Sequence, residues 1–353
     1  MQKERQVILY GCLNQRTEEE EVELKKILEE RLDWGYIFGQ LIHHRIGGYF
    51  YINMRDNKKK MLANSARTFE MLVNAQKVVT EERYRIITNL FSEFEEEAIH
   101  YAALKGLVYG MTIYTYGARK SNDCDILIWE KDLDKADIIL KRNGYVQSLD
   151  GGKNPASRNE ILIQRMNYHD TVAYYKTIDS MIDNKIKIDL NFHFDSKNND
   201  ITKKVLDYGT RIIKKDDYII RALISSTHFL HMCAHFYREG RDVIWTKWLR
   251  DVSLYKIVDL INTLRKLEDV SQCIDIANEF KLNEALYYTL YYMSAFYTDP
   301  KINELMKRIH VEDDSFIQKV YDKDILIYRN KDFYERAFDA TYCINNMSNM
   351  ENI

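Results

Sequence analysis

Leu104-Lys105-Gly106 and the later run Arg119-Lys120-Ser121-Asn122-Asp123-Cys124-Asp125-Ile126-Leu127 decide how this chain is read. Residues 98–104 form a short apolar run of the kind that makes a buried strand. Lys105-Gly106 then opens a short helical segment through Ile113, and residues 114–122 read as a loop. Residues 123–129 carry Ile126, Leu127 and Ile128 and read as the next strand. An acidic pair therefore opens a strand shortly after a Lys-Gly turn.

Beyond this stretch, residues 131–143 have helical spacing and stop at Gly144, a residue suited to the left-handed end of a helix. Residues 145–149, 171–176 and 185–194 read as further strands, with Gly151-Gly152 and Pro155 marking a loop. The block is mixed α/β. Before it, residues 17–33 predict a helix whose Thr17 and Glu20 have capping-box spacing. A second apolar stretch covers 34–51, broken at Gly47-Gly48, and 58–90 is helical in spacing. From about Asp216 helices are expected again: 218–237, 245–267, 270–280, 284–297 and segments to about Asn346. The expected fold class is α+β, a small mixed-sheet core at 98–215 between helical regions at 1–97 and 216–353.

Composition supports a helix-rich chain. Its 353 residues include 13 Gly and 2 Pro, well under the usual share of about 7% and 5%. Seven of those fifteen lie between Gly106 and Pro155, so the turn-formers concentrate in the α/β block. Hydrophobic residues at 46% and charged residues at 30% exclude a disordered chain. The net charge of −3 carries no signature of binding to long nucleic acid. No apolar run is long enough to span a membrane. Residues 1–13 lack the apolar core and cleavage site of a secretory signal. Five scattered cysteines suggest reduced thiols and a cytoplasmic setting.

Asp123 and Asp125 are two apart at a strand start, so both carboxylates share one face. Like charges so placed call for a cation, and hard oxygen donors with open positions suit Mg²⁺ beside substrate phosphates. Asp189 sits in Lys185-Ile186-Lys187-Ile188-Asp189-Leu190. Were that strand to neighbour the first, three acids would meet in the layout used for two-metal phosphoryl or nucleotidyl transfer. Gly106 would let backbone approach a phosphate at a helix N-terminus, and Lys105 and Arg119 would add positive charge. Taken alone, an Asp-x-Asp pair is a weak signal, usually a solvated turn or strand end.

Together these residues resemble the nucleotidyltransferase superfamily that includes DNA polymerase beta and the aminoglycoside nucleotidyltransferases. Within it they look like a bacterial group of largely uncharacterised nucleotidyltransferases with Leu-Lys-Gly followed by Arg-x-x-x-Asp-x-Asp. Leu32-Asp33-Trp34 with His43-His44-Arg45, Asn143-Gly144-Tyr145, Ile188-Asp189-Leu190-Asn191-Phe192-His193, residues 228–235 and Leu249-Arg250-Asp251 extend the resemblance over about 30–255. It implies Asp123, Asp125 and Asp189 as catalytic metal ligands for Mg²⁺, two ions being expected and Mn²⁺ a substitute. It implies Lys105, Gly106, Arg119 and His193 around a nucleoside triphosphate, with AMP from ATP the expected transfer. The acceptor would be a hydroxyl or similar group on a small molecule, peptide or protein, and pyrophosphate would leave. The superfamily's usual Gly-Ser is replaced by Lys105-Gly106, so no serine stands at that place. A catalytically inactive binding or regulatory module on the same fold is the alternative.

Other residues carry weaker signals. His193, four beyond Asp189, could orient a metal-bound group or shuttle a proton. His228, His231 and His235 share a helix face, which suggests packing or cleft lining more than zinc, since i to i+7 spans about 10.5 Å. His169-Asp170 reads as a loop at the mouth of the site, and Arg165 and Lys176 as surface charges. Tyr287, Tyr288, Tyr291 and Tyr292 read as helix packing.

Overall fold

Along Lys185–Asn191 burial alternates residue by residue: Ile186, Ile188 and Leu190 are buried, while the residues between them are partly exposed. Each buried Ile or Leu is worth about 1.5–3 kcal/mol. A one-residue slip would bury Lys187 and Asp189 instead, so the register is firmly set. The computed structural model describes residues 2–168, 170–194, 201–322, 325–329 and 332–339. It is a mixed α/β structure with a seven-stranded mixed sheet and many helices, the expected α+β class.

The strands are β1 (Tyr101–Ala103), β2 (Cys124–Ile128), β3 (Val146–Gln147), β4 (Tyr174–Thr177), β5 (Lys185–Asn191), β6 (Thr210–Lys215) and β7 (Tyr218–Leu223). They lie in the order β3-β4-β5-β2-β1-β7-β6. The β2–β5 and β1–β7 pairs are parallel, and the other pairs antiparallel. One face is packed by Leu107, Val108 and Met111 of helix Lys105–Thr112, and by Tyr84, Phe91 and Phe94 of the 34-residue helix Ala63–Glu96.

The chain divides into two compact units, Leu72–His228 with the seven-stranded sheet, and Met1–Met71 with Phe229–Ile353. Within the second, Thr17 and Glu20 form the expected capping box on helix Glu18–Ile27. Buried Arg265 there joins Glu20 and Asp299, both at 2.8 Å. Asp251, fully buried, pairs with Arg336 at 3.0 Å and lies 3.6 Å from Arg329. That unit also holds a hairpin of β8 (Lys319–Asp322) and β9 (Ile325–Tyr328). No helix among the described residues is long and apolar enough to cross a membrane. Cys12, Cys124, Cys233 and Cys273 are buried free thiols.

Several sequence expectations need correction. Residues 218–237 are not one helix: Tyr218–Leu223 is β7, and the helix begins at Ser225. Pairing with β1 and β6 fixes the strand, which an unbroken apolar run cannot reveal. The helix expected at 245–267 is two, Val243–Lys247 and Leu254–Lys266, parted where Leu249 takes a φ of 52°. The loop after Pro155 contains helix Arg158–Tyr168, capped through Ser157. The last stretch, read as helical, contains the β8–β9 hairpin before helix Phe333–Phe338. Cys343 and Asn346 lie outside the described residues.

Candidate active site

In the parallel β2–β5 ladder Cys124 pairs with Ile188 and Asp125 with Asp189. Paired residues point to the same face. Cys124 and Ile126 therefore join Ile186, Ile188 and Leu190 in the core, while Asp125 and Asp189 stand side by side on the other face. The structure also brings Asp123 to this group. Lys187 Nζ lies 3.7 Å from Asp123 Oδ2 and 2.5 Å from Asp189 Oδ2. Lys105 Nζ lies 2.6 Å from Asp125 Oδ1.

Asp125 is 5% exposed, and a carboxylate so buried needs a cation beside it. Burial raises the Asp189 carboxyl above its ordinary value, even with Lys187 bonded to it, and the charges of Asp125 and Asp123 add to the rise. Burial works against the Lys187 ammonium, but the bond to Asp189 and the charge of Asp123 outweigh it, so its pKa also rises. Among the described residues no three His, Cys, Asp or Glu side chains form a metal-holding group; the three aspartates are turned onto the two lysines. The donor set still fits magnesium, which takes one or two carboxylates and completes its shell with phosphates and water.

The Lys105-Gly106 turn stands next to these acids. Leu104 donates its N–H to the Asp125 carbonyl at 3.0 Å. Its apolar side chain cannot cap the helix that follows. Lys105 takes a φ of 44°, in the left-handed region, and donates its backbone N–H to His228 Nε2 at 3.1 Å. Gly106 is closely approached by two side chains: a Cβ there would lie 2.2 Å from Ser121 Oγ and 3.0 Å from Arg119 Nη1. Ser121 Oγ in turn donates to the Asp123 carbonyl at 3.0 Å. A hydroxyl from the loop before β2 thus stands next to Gly106. Gly106, Arg119, Ser121 and Asp123 line one cleft with Thr80, Arg83 and Tyr116.

The helix Ala63–Glu96 braces this cleft. Arg83 bonds the Ser121 carbonyl and reaches Asp183 Oδ2 at 2.5 Å. Tyr84 donates to the Leu107 carbonyl at 2.8 Å, and a Cβ at Gly110 would meet its hydroxyl at 2.3 Å.

The remaining candidates are placed differently. His193 lies two residues beyond the end of β5, where burial still alternates through Phe192 and Phe194, and its ring stands edge-on to Phe192 at 5.1 Å. His228 is tied to the Lys105 amide. His231 is buried, and His235 sits 3.4 Å from Glu239. Arg165 lies 3.6 Å from Glu130, and Lys176 lies over the Tyr145 ring. Tyr288 and Tyr292 pack against each other at 4.7 Å, as expected of packing residues. His169 lies outside the described residues. Lys187, Ser121 and Arg83 were not among the residues expected at the site. Lys187 carried a signal, since it stands two residues before Asp189 on a period-two strand. Ser121 and Arg83 carried none.

A family model described as an uncharacterised nucleotidyltransferase matches residues 30–298. No curated protein matches the chain.

Proposed function

The chain belongs to this family of uncharacterised nucleotidyltransferases, and from that premise we propose that it transfers a nucleoside monophosphate to an acceptor hydroxyl or similar group. The expected donor is ATP, the transferred group AMP and the acceptor a small molecule, peptide or protein. The catalytic region is residues 98–215. The observation that carries this reading is the pairing of Asp125 with Asp189 across β2 and β5, with Asp123 on the same face and the Lys105-Gly106 turn beside them.

Asp123, Asp125 and Asp189 would hold magnesium, which supplies Lewis-acid charge at the phosphate under attack. Lys105, the Gly106 backbone and Arg119 take the β- and γ-phosphates at the helix N-terminus. Lys105 and Lys187 keep the acids neutralised until substrate arrives. The acceptor oxygen bonds the α-phosphorus in line, the α–β bridging bond breaks, and pyrophosphate leaves. Asp189, with the magnesium it would help hold, would lower the pKa of the acceptor hydroxyl and receive its proton. His193 is the further polar group assigned to the nucleotide.

One observation favours the alternative, an inactive binding or regulatory module: two lysines already pair with all three acids. Mass spectrometry of co-encoded candidate acceptors, incubated with nucleoside triphosphates and magnesium, separates the two. Catalysis predicts an acceptor heavier by one nucleoside monophosphate and release of pyrophosphate. Nucleotide binding with no product from any nucleotide would favour the module.

A further inference from the structure

Two helices leave the sheet next to each other. β1 and β7 run parallel, with Ala103 opposite Ala222. The helices that follow them, Lys105–Thr112 and Ser225–Gly240, therefore start at the same sheet edge. The Ile224 N–H donates to the Gly209 carbonyl at 3.3 Å, and the His228 N–H to the Ile224 carbonyl at 2.9 Å. This fixes the first turn of the second helix and delivers His228 to the Lys105 turn.

We infer that His228 is a positioning residue: its Nε2 accepts the Lys105 amide and holds the left-handed turn on which the triphosphate seat is built. The inference rests on the nucleotidyl-transfer reading for what the seat binds. Three features support it. A lysine in the left-handed region is unfavourable and persists only where its surroundings fix it. Lys105 is the first residue of its helix, so its N–H has no partner within the helix, and Leu104 offers no side-chain cap. His228 provides that partner from a distant part of the chain.

The same histidine is linked to Arg119 through Tyr109. Its ring stands edge-on to Tyr109 at 5.3 Å, and the Arg119 guanidinium lies over the Tyr109 ring at 5.1 Å. His228 is 2% exposed. Burial, with the charges of Arg211 and Arg119 added, lowers its pKa to about 3. The ring is then neutral, and the bond accepted at Nε2 puts its proton on Nδ1.

The test uses the full chain with ¹⁵N-labelled histidine, and the variants His228→Gln and His228→Phe. In the wild type, NMR should find His228 with its proton on Nδ1; a proton on Nε2 would overturn the inference. Hydrogen exchange at the Lys105 amide should speed up about fivefold to tenfold in the Phe variant, as expected for the loss of one hydrogen bond, and be rescued by Gln. Titration with ATP and magnesium should weaken by a similar factor in the Phe variant, again rescued by Gln. Unchanged exchange in a folded Phe variant would overturn the inference. If the wild type binds no nucleoside triphosphate, the proposed function fails, while the NMR and exchange results still decide the role of His228. The wild-type NMR result decides it even if the Phe variant fails to fold.

Discussion

A methyl group on Gly106 would meet Ser121 Oγ at 2.2 Å and Arg119 Nη1 at 3.0 Å. To admit it, Ser121 must swing off the Asp123 carbonyl, and the Arg119 guanidinium must give by a few tenths of an ångström. Gly106→Ala is therefore expected to weaken binding of ATP with magnesium more than it lowers stability. Overpacking of this kind costs about 1–3 kcal/mol. Adding Ser121→Gly should recover part of the affinity, and titration of the single and double variants checks both. At this scale the sequence was informative where chemistry is local. Asp123, Asp125 and Asp189 were legible because strand period and residue type together announce a shared face. Lys187 obeyed the same period but read as an ordinary basic strand residue. Ser121 and His228 reach Gly106 and Lys105 from elsewhere in the chain, and no spacing rule links those positions.

Among the elements, the loop between helix Lys105–Thr112 and β2 is tied to the long helix at Gly117. That glycine has a φ of 88°, and a Cβ on it would lie 2.3 Å from the Val73 carbonyl oxygen. A backbone atom cannot step aside as a side chain can. Gly117→Ala should cost about 3 kcal/mol, combining strain and overlap, and loosen the loop that carries Arg119 and Ser121. A lower urea midpoint with lost nucleotide affinity checks this; an unchanged midpoint would deny that the loop is locked there. Elements bounded by clear signals were legible: the Thr17–Glu20 box, the Gly144 stop with its φ of 81°, and the alternating strand β5. β7 was not. Its apolar residues run into the following helix with no Gly or Pro between them, and only pairing with β1 and β6 makes it a strand.

Across the whole molecule, two buried histidines make stability depend on pH. His44 Nδ1 accepts the Leu254 amide at 3.1 Å, and His228 Nε2 accepts the Lys105 amide. Burial, with the neighbouring His43 for one and Arg211 and Arg119 for the other, lowers each pKa to about 3. Unfolded, both would titrate near 6.5. Between those values the unfolded chain binds more protons, so their contribution is present above about pH 6.5 and is lost as pH falls toward 3. Each contributes a slope of up to about 1.4 kcal/mol per pH unit in that window. Urea midpoints measured from pH 7.5 to 4.5 should fall accordingly, less steeply in His228→Gln. Whether three aspartates on one sheet face bind a nucleotide with metal for transfer is decided by isothermal titration of ATP with magnesium into the wild type and Asp123→Ala. Binding by the wild type and its loss in the variant are expected. No binding by the wild type, or equal binding by both, would contradict that role.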